Sequence, residues 1–408
     1  MSTPPEPPED PDEPESERGL FSPQFAVLLV LQLSHGFAFS SFFLLPKFLT
    51  TELGAGPELI GRITAAAGVA GMLSVPLLGA SIDRTSRRRL ILLGAPLAAL
   101  GSLGFVWVDS VGPLVFLLRA LQGIGFTIVF NSVATLAIDS APPKRLGQAI
   151  GLIGVAAVSM NAIAPAIVEP LARHVGWKPV FALAAAAGLA AAALSLTLRE
   201  RRAPSAGKLS YKHLLTGRTL AVFYASGVAG AAFGALLTFV PAFMITLGAH
   251  AVSSFFIAYA VSVIAIRLTL GGVADRWGRQ RVALFALVAY GAVTLSAAWL
   301  KPGGLELLGA MFGLAHGIFY PALNAFAVEE VSAEQRGSVT TFFNGSFNAG
   351  FTVGAAVLGA LAQHHGYPVA FVTVALFTAS AVAALAFVRA DSQRRVTARA
   401  ASESAAVR

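Results

Sequence analysis

Asp83-Arg84-Thr85-Ser86-Arg87-Arg88-Arg89 and Asp275-Arg276-Trp277-Gly278-Arg279-Gln280-Arg281 are two versions of one short polar stretch, 192 positions apart. Each stands between long apolar runs, so each reads as a turn joining two buried segments. Other pairs recur at almost the same interval. Gly176-Trp177-Lys178-Pro179-Val180-Phe181 is echoed by Gly366-Tyr367-Pro368-Val369-Ala370-Phe371 at an offset of 190, and Asp139 and Gly147 match Glu329 and Gly337 at that same offset. Pro46 and Pro241 stand at corresponding places and are expected to close the first helix of each half. Several independent matches at one interval identify an internal repeat, which settles architecture before any single element is assigned.

Composition says what is repeated. Of 408 residues, 56% are hydrophobic and only 12% are charged, against ~25% charged for a soluble domain. That is too little polar material to cover a water-facing surface. The absence of cysteine excludes a disulfide framework, a thiol nucleophile and a thiolate metal site. About 20 mainly apolar residues cross a bilayer, and twelve such stretches are present: 25–49, 59–81, 90–108, 111–137, 148–171, 179–198, 220–246, 252–274, 282–300, 305–328, 338–361 and 368–387. Backbone groups in lipid must be paired inside a helix or a closed barrel, and continuous rather than alternating apolar runs select helices. The expected fold class is an all-α membrane protein of twelve transmembrane helices in two pseudo-symmetric six-helix bundles. The expected divisions are a tail (1–22), a first bundle (23–198), a linker (199–218), a second bundle (219–389) and a tail (390–408).

The net charge of +8 is a matter of orientation. With the N-terminus inside, 22 of the 29 Lys and Arg fall in tails and cytoplasmic loops. Five lie opposite (Lys47, Arg62, Arg173, Lys178, Lys301) and two lie within helices (Arg119, Arg267). Lys/Arg bias sets orientation, so both termini are expected in the cytoplasm and nucleic acid is not an expected partner. Seven acidic residues within Glu6–Glu17 and six prolines within Pro4–Pro14 mark the first tail as solvated and disordered. With no basic region ahead of an apolar one, it is not a cleaved signal.

With these residues in view, the chain resembles the major facilitator superfamily over nearly all of 25–389. The family pattern Gly-x-x-x-Asp-Arg-x-Gly-Arg-x-Arg is met throughout from Gly271 to Arg281, and from Gly79 to Arg89 with Ser86 in place of a glycine. Arg119-Ala120-Leu121-Gln122-Gly123 resembles the helix-4 motif Arg-x-x-Gln-Gly. Within the superfamily the chain looks most like bacterial efflux and organic-solute branches. The helix-5 antiporter motif Gly-Pro-x-x-Gly-Gly appears here as Ala164-Pro165-Ala166-Ile167-Val168-Glu169, which keeps only the proline. The resemblance implies alternating access, with two halves rocking about a midplane site, in a monomer of the bacterial cytoplasmic membrane. It further implies a cytoplasmic gate. Asp83 would pair with Arg84 or Arg87 and face the positive end of helix 11. Asp139 would accept Arg84 or Arg87, and beside Asp275 the acid Glu329 would serve Arg276 or Arg279.

A charge near the bilayer centre costs about 2.5–3.5 kcal/mol on insertion scales, so intramembrane ionisable groups usually face a cavity or a partner. Arg267 has no acid in its own helix; it reads either as a cavity cation meeting a substrate anion or as a group bonded to carbonyls. Arg119 reads as a coupling or substrate residue. His316, Tyr320 and Asn324 stand at i, i+4 and i+8, one polar stripe on an apolar helix. Asn344 and Asn348 add a second stripe, and Gln32, His35 and Asn131 complete the set. The other reading of these amides is as interhelical hydrogen bonds. His35 and His316 are the side chains suited to titrate near neutral pH. Glu169 reads as an exposed residue of the outer mouth close to Arg173, with a proton site as the other reading.

No metal-ligand spacing, phosphate-binding loop or nucleophile–base pair is present, so no metal, cofactor or enzymatic activity is expected. The expected function is secondary, proton-coupled transport of a small organic solute, with an anionic, carboxylate-like substrate favoured by the cationic centre. The other readings are a drug or sugar efflux proton antiporter and, more distantly, a transporter-derived sensor without flux. The expected partners are the substrate, protons and the lipid bilayer.

Overall fold

The computed structural model describes residues 22–82, 86–142, 145–198, 216–270, 276–329, 331 and 333–406. Residues 1–21 of the expected first tail and 199–215 of the expected linker lie outside the described residues, as do Asp83, Arg84 and Asp275 of the expected gate.

All regular structure among the described residues is helical. Helix α1, Pro23–Ser40, tightens into a 3-10 turn over Ser41–Leu44 and resumes as α2, Leu45–Thr51. There follow α3 (Pro57–Ile82), α4 (Arg87–Gly104), α5 (Pro113–Ser140), α6 (Leu146–Val175) and α7 (Trp177–Ser195). The second half comprises α8 (Gly217–Thr246), α9 (Ser253–Leu270), α10 (Arg279–Ser296), α11 (Leu305–Ala327), α12 (Ala333–His365) and α13 (Tyr367–Ala406). Ten stretches among the described residues are long and apolar enough to cross a membrane. The two other expected places are taken by α3 and by the shorter apolar helix of α9.

Small polar side chains set the helix starts. Ser22 Oγ accepts from the Phe25 amide, and Thr216 and Thr219 cap the start of α8 reciprocally, each satisfying a donor that has no partner inside the helix. Gly176 and Gly366 both adopt φ +84°, a left-handed conformation that costs a glycine nothing and ends α6 and α12 at equivalent points of the repeat. The prolines depart from expectation. Pro46 sits in the first turn of α2, where its missing N–H is not needed, and Pro241 lies inside α8; neither closes its helix.

The repeat read in the sequence is also a repeat of packing. In the first half α4 packs on α5 and α7, α3 on α5, and α1 on α5, α6 and α7. In the second, α10 packs on α11 and α13, α9 on α11, and α8 on α11, α12 and α13. The halves meet chiefly along two seams, α3 with α12 and α6 with α9, with α2 also touching α8, and the repeat maps one seam onto the other.

The α3–α12 seam is tight beside the α2–α3 turn. A Cβ at Gly61 would lie 2.2 Å from the Ala355 carbonyl oxygen, and one at Gly359 would lie 2.7 Å from that of Pro57. Toward the chain ends, a Cβ at Gly151, Gly154 or Gly345 would meet nothing within 4 Å. The apolar cores follow the same division. One core runs through the second half and continues across Leu44, Leu49, Ile60, Val168 and Trp177 of the first. A separate core around Phe25, Leu28, Val133 and Ile153 stays within the first half, near its terminus. The molecule thus has a closed face, carrying the α2–α3, α6–α7 and α8–α9 turns, and a terminal face on which the halves part.

Candidate functional site

In the second half, expected residues converge. Tyr320 Oη donates to Asn344 Oδ1, joining α11 to α12. One turn above it His316 is buried, with Nδ1 3.4 Å from Tyr290 Oη of α10. Its ring sits among Phe233, Tyr259, Tyr290, Tyr320 and Phe347, with centroids 4.9 to 6.1 Å away. Arg267 of α9 is half-buried and lies within electrostatic reach of Tyr259, His316 and Tyr320. Among the described residues Arg267 has no hydrogen bond or ion pair, and its Nε is buried without a partner. Asn324 Oδ1 is likewise buried and unpartnered. Asn348 is exposed, and its carbonyl accepts from Thr352 within α12.

In the first half, Arg119 is buried and donates from Nη1 to Gln122 Oε1 at 2.7 Å. Gln122 Nε2 passes the chain on to Ser102 Oγ of α4 at 3.0 Å. The guanidinium also lies 5.9 Å from the Phe42 ring centroid. Arg119 is therefore bound laterally into its own bundle, while its Nε stays buried without a partner. Gln32 and His35 of α1 are buried with Oε1 and Nε2 unpartnered, and His35 stacks on Phe126 at 5.3 Å. Phe126 in turn stacks on Phe39 at 3.8 Å. Asn131 stands apart from this group: it is exposed and its Nδ2 donates to the Thr127 carbonyl of its own helix. A buried polar atom without a partner is uncommon in a folded protein, and Gln32, His35, Arg119, Arg267 and Asn324 each carry one. Among the described residues no group of three or more His, Cys, Asp or Glu is placed to hold a metal ion.

Two charged arrangements lie at the faces. On the terminal face Arg87 Nε is 3.8 Å from Asp139 Oδ2, a pairing anticipated from the sequence. Glu329, assigned to Arg276 or Arg279, is instead held by Arg218: Nη2 lies 2.9 Å from Glu329 Oε2 and also donates to the Phe326 carbonyl. Arg218 fell in the expected linker and so escaped notice. Arg276 is exposed and Arg279 half-buried. Arg87–Asp139 and Arg218–Glu329 each join helices of one half.

On the closed face, Glu169 overturns its expected exposure. Its side chain is 1% exposed and pairs with Lys47 Nζ at 2.5 Å rather than lying open beside Arg173. Glu169 Oε2 accepts from the Val252 and Ser253 amides at 3.0 and 2.7 Å, and Oε1 also accepts from Val252 at 2.9 Å. Lys47 Nζ further donates to the His250 carbonyl at 2.7 Å. Lys47 and Gln122 were missed as site residues. The latter could have been found from its place in the Arg119–Gly123 motif.

Comparison with known proteins follows the same lines. The family model described as Major Facilitator Superfamily matches residues 28–307 and 222–407. An uncharacterised MFS-type transporter of Burkholderia mallei is 25% identical over 355 residues, covering 83% of this chain and 85% of its own. A multi-drug resistance efflux pump PmrA homologue of Lactococcus lactis is 26% identical over 369 residues, covering 84% of this chain and 89% of its own. In fold, the nucleoside transporter NupG aligns with a TM-score of 0.77 at 18% identity, over 89% of this chain and 98% of its own. A bacterial homologue of the lysosomal transporter Spinster, in an inward-facing and occupied conformation, aligns with a TM-score of 0.71 at 15% identity, over 89% and 95%.

Proposed function

This chain belongs to the major facilitator superfamily and is a membrane transporter rather than an enzyme, and on that premise we propose that it moves a small organic anion by proton-coupled alternating access. One observation carries the substrate class: the Arg267 guanidinium, set among Tyr259, His316 and Tyr320 with no acid paired to it among the described residues. A guanidinium presents a planar fork of donors that matches a carboxylate. A solute carrying one would supply the partner that Arg267 lacks, and its polar remainder would meet Asn324, Asn344 and the unpartnered atoms of Gln32 and His35. His35 and His316 are the side chains at this site chemically suited to exchange a proton during the cycle.

In this reading the halves 23–198 and 219–389 rock about the site, and the conformation described here is open toward the terminal face. The Lys/Arg bias supports a cytoplasmic terminal face and a bacterial inner-membrane setting. The chain works as a monomer, since each half supplies its own part of the site.

Flux in proteoliposomes under an imposed pH gradient tests the reading, with a panel of carboxylates, sugars and cationic drugs. Carboxylate movement should stop when the gradient is collapsed. Arg267→Ala should lower it by about ten-fold or more, the effect expected for losing a charge-assisted bond of about 1.5–3 kcal/mol. Movement of cationic drugs without carboxylates would overturn the anion assignment. It would favour drug efflux, which the half-buried rings of Phe39, Phe126, Phe233 and Phe347 and the efflux-pump relative also suit. Ligand binding with no flux of any kind would mean a sensor.

A further inference from the structure

We infer that Glu169, Lys47 and the amino end of α9 form a latch that closes one face of the transporter, and that Glu169 is the residue through which this closure is won or lost. The inference rests on the alternating-access reading above. Lys47 and Glu169 belong to the first half; His250, Val252 and Ser253 belong to the second. Apart from the Lys47–Glu169 pair itself, every bond of the cluster therefore crosses between halves.

The chemistry is matched on both sides. The first amides of α9 have no partner inside their helix, and the N-terminus of a helix carries a partial positive charge. A carboxylate placed on two of those amides satisfies donors and dipole together. Lys47 balances the remaining negative charge and reaches the His250 carbonyl, so the ammonium is also satisfied across the seam. Phe43 and Phe256 also stack between the halves, with centroids 5.6 Å apart.

A buried charged cluster contributes little net stability compared with an apolar contact, but removing one member strands the others. That is the behaviour of a latch: it adds little to folding, yet it penalises any intermediate state in which the carboxylate leaves α9 while remaining dry. The cluster is stable when complete, or when the face is open and water solvates each group.

The chain contains no cysteine, so labels can be placed without background. Spin labels on Lys178→Cys with Lys301→Cys report the closed face, and labels on Arg145→Cys with Arg336→Cys report the terminal face. All four positions are exposed and none belongs to the latch. In the full chain, reconstituted in bilayers, Glu169→Gln should raise the fraction with a widened closed face by about ten-fold. The terminal-face distance should shorten in the same variant. Lys47→Met should shift both distributions in the same directions by less, and it serves as the second variant if Glu169→Gln is poorly folded. The swap Lys47→Glu with Glu169→Lys should not restore closure, because it turns an ammonium toward the α9 amides. Closed-face distributions equal to the parent in both Glu169→Gln and Lys47→Met would overturn the latch. Full restoration by the swap would overturn the part given to α9. Widening of the closed face without shortening of the terminal face would uphold the latch and remove the rocking motion beneath it.

Discussion

The two seams between the halves are related by the internal repeat, yet they are closed by different means. Where α6 meets α9, Glu169 reaches across to the Val252 and Ser253 amides. At the position 190 residues later, where α12 meets α3, stands Gly359, with room for nothing between its Cα and the Pro57 carbonyl. One seam is closed by charge and the other by the absence of a side chain. Repetition therefore conserves the packing of helices without conserving what holds them. A glycine contact responds only to bulk, whereas a carboxylate on a helix terminus responds to charge and to proton. Of the two contacts, only the one at the α6–α9 seam depends on charge.

The largest effect should come from giving the glycine seam a side chain. Gly61→Leu would drive atoms into the Ala355 carbonyl, which already stands 2.2 Å from where a Cβ would be. Overpacking of this kind costs about 1–3 kcal/mol, or up to about a hundred-fold in the population of the closed conformation. Substrate flux should fall by that order, and the Lys178–Lys301 label distance should stay wide at every pH. A variant that transports normally would show that this seam is looser than its backbone contacts indicate, and the distinction between the seams would collapse.

Next in size is an ordering within the polar seam. Glu169→Gln removes an ion pair and weakens the acceptor for two amides, for an expected shift of about ten-fold; Lys47→Met leaves the carboxylate on α9 and should cost about three-fold. Label distances measured on both variants give the order directly. If Lys47→Met proved the more damaging, the salt bridge rather than the capped helix would hold the seam.

Much of the fold is legible in the sequence because its signals are local. A run of some twenty apolar residues declares a span wherever it stands, and the Asp-Arg turns and the Gly176 and Gly366 turns declare the repeat. The site is less legible because its pairings are distant. Glu169 and Arg173 are neighbours on one helix, so sequence alone places Glu169 at the mouth. The structure gives it to Lys47, 122 positions away, and to the start of α9. Arg218 went unnoticed beside Glu329 for the same reason, being 111 positions distant and outside every span. Hydrophobic periodicity carries no information about which of several charges will meet. Tyr320 and Asn344 were both marked for polarity on apolar helices, but nothing in either helix said that they would bond to one another.

The smallest effect expected is also the sharpest control on the comparison, because it places an ion pair at the glycine seam. Glu58 and Arg62 pair on the first turns of α3, four residues apart, at the end of the helix where Gly61 meets α12. Proximity alone would make this pair a second latch. Its geometry says otherwise: both partners belong to α3, and the Arg62 side chain is 62% exposed. An exposed pair within one helix is screened by water and salt, so it adds almost nothing to closure. Arg62→Gln should change flux, and the fraction with a widened closed face, by less than about two-fold. The measurement is worth making beside Glu169→Gln because both variants remove a single charge near a seam. A response of equal size in the two would mean that charge at the closed face matters wherever it lies. A response confined to Glu169 ties closure to a buried carboxylate that crosses between the halves.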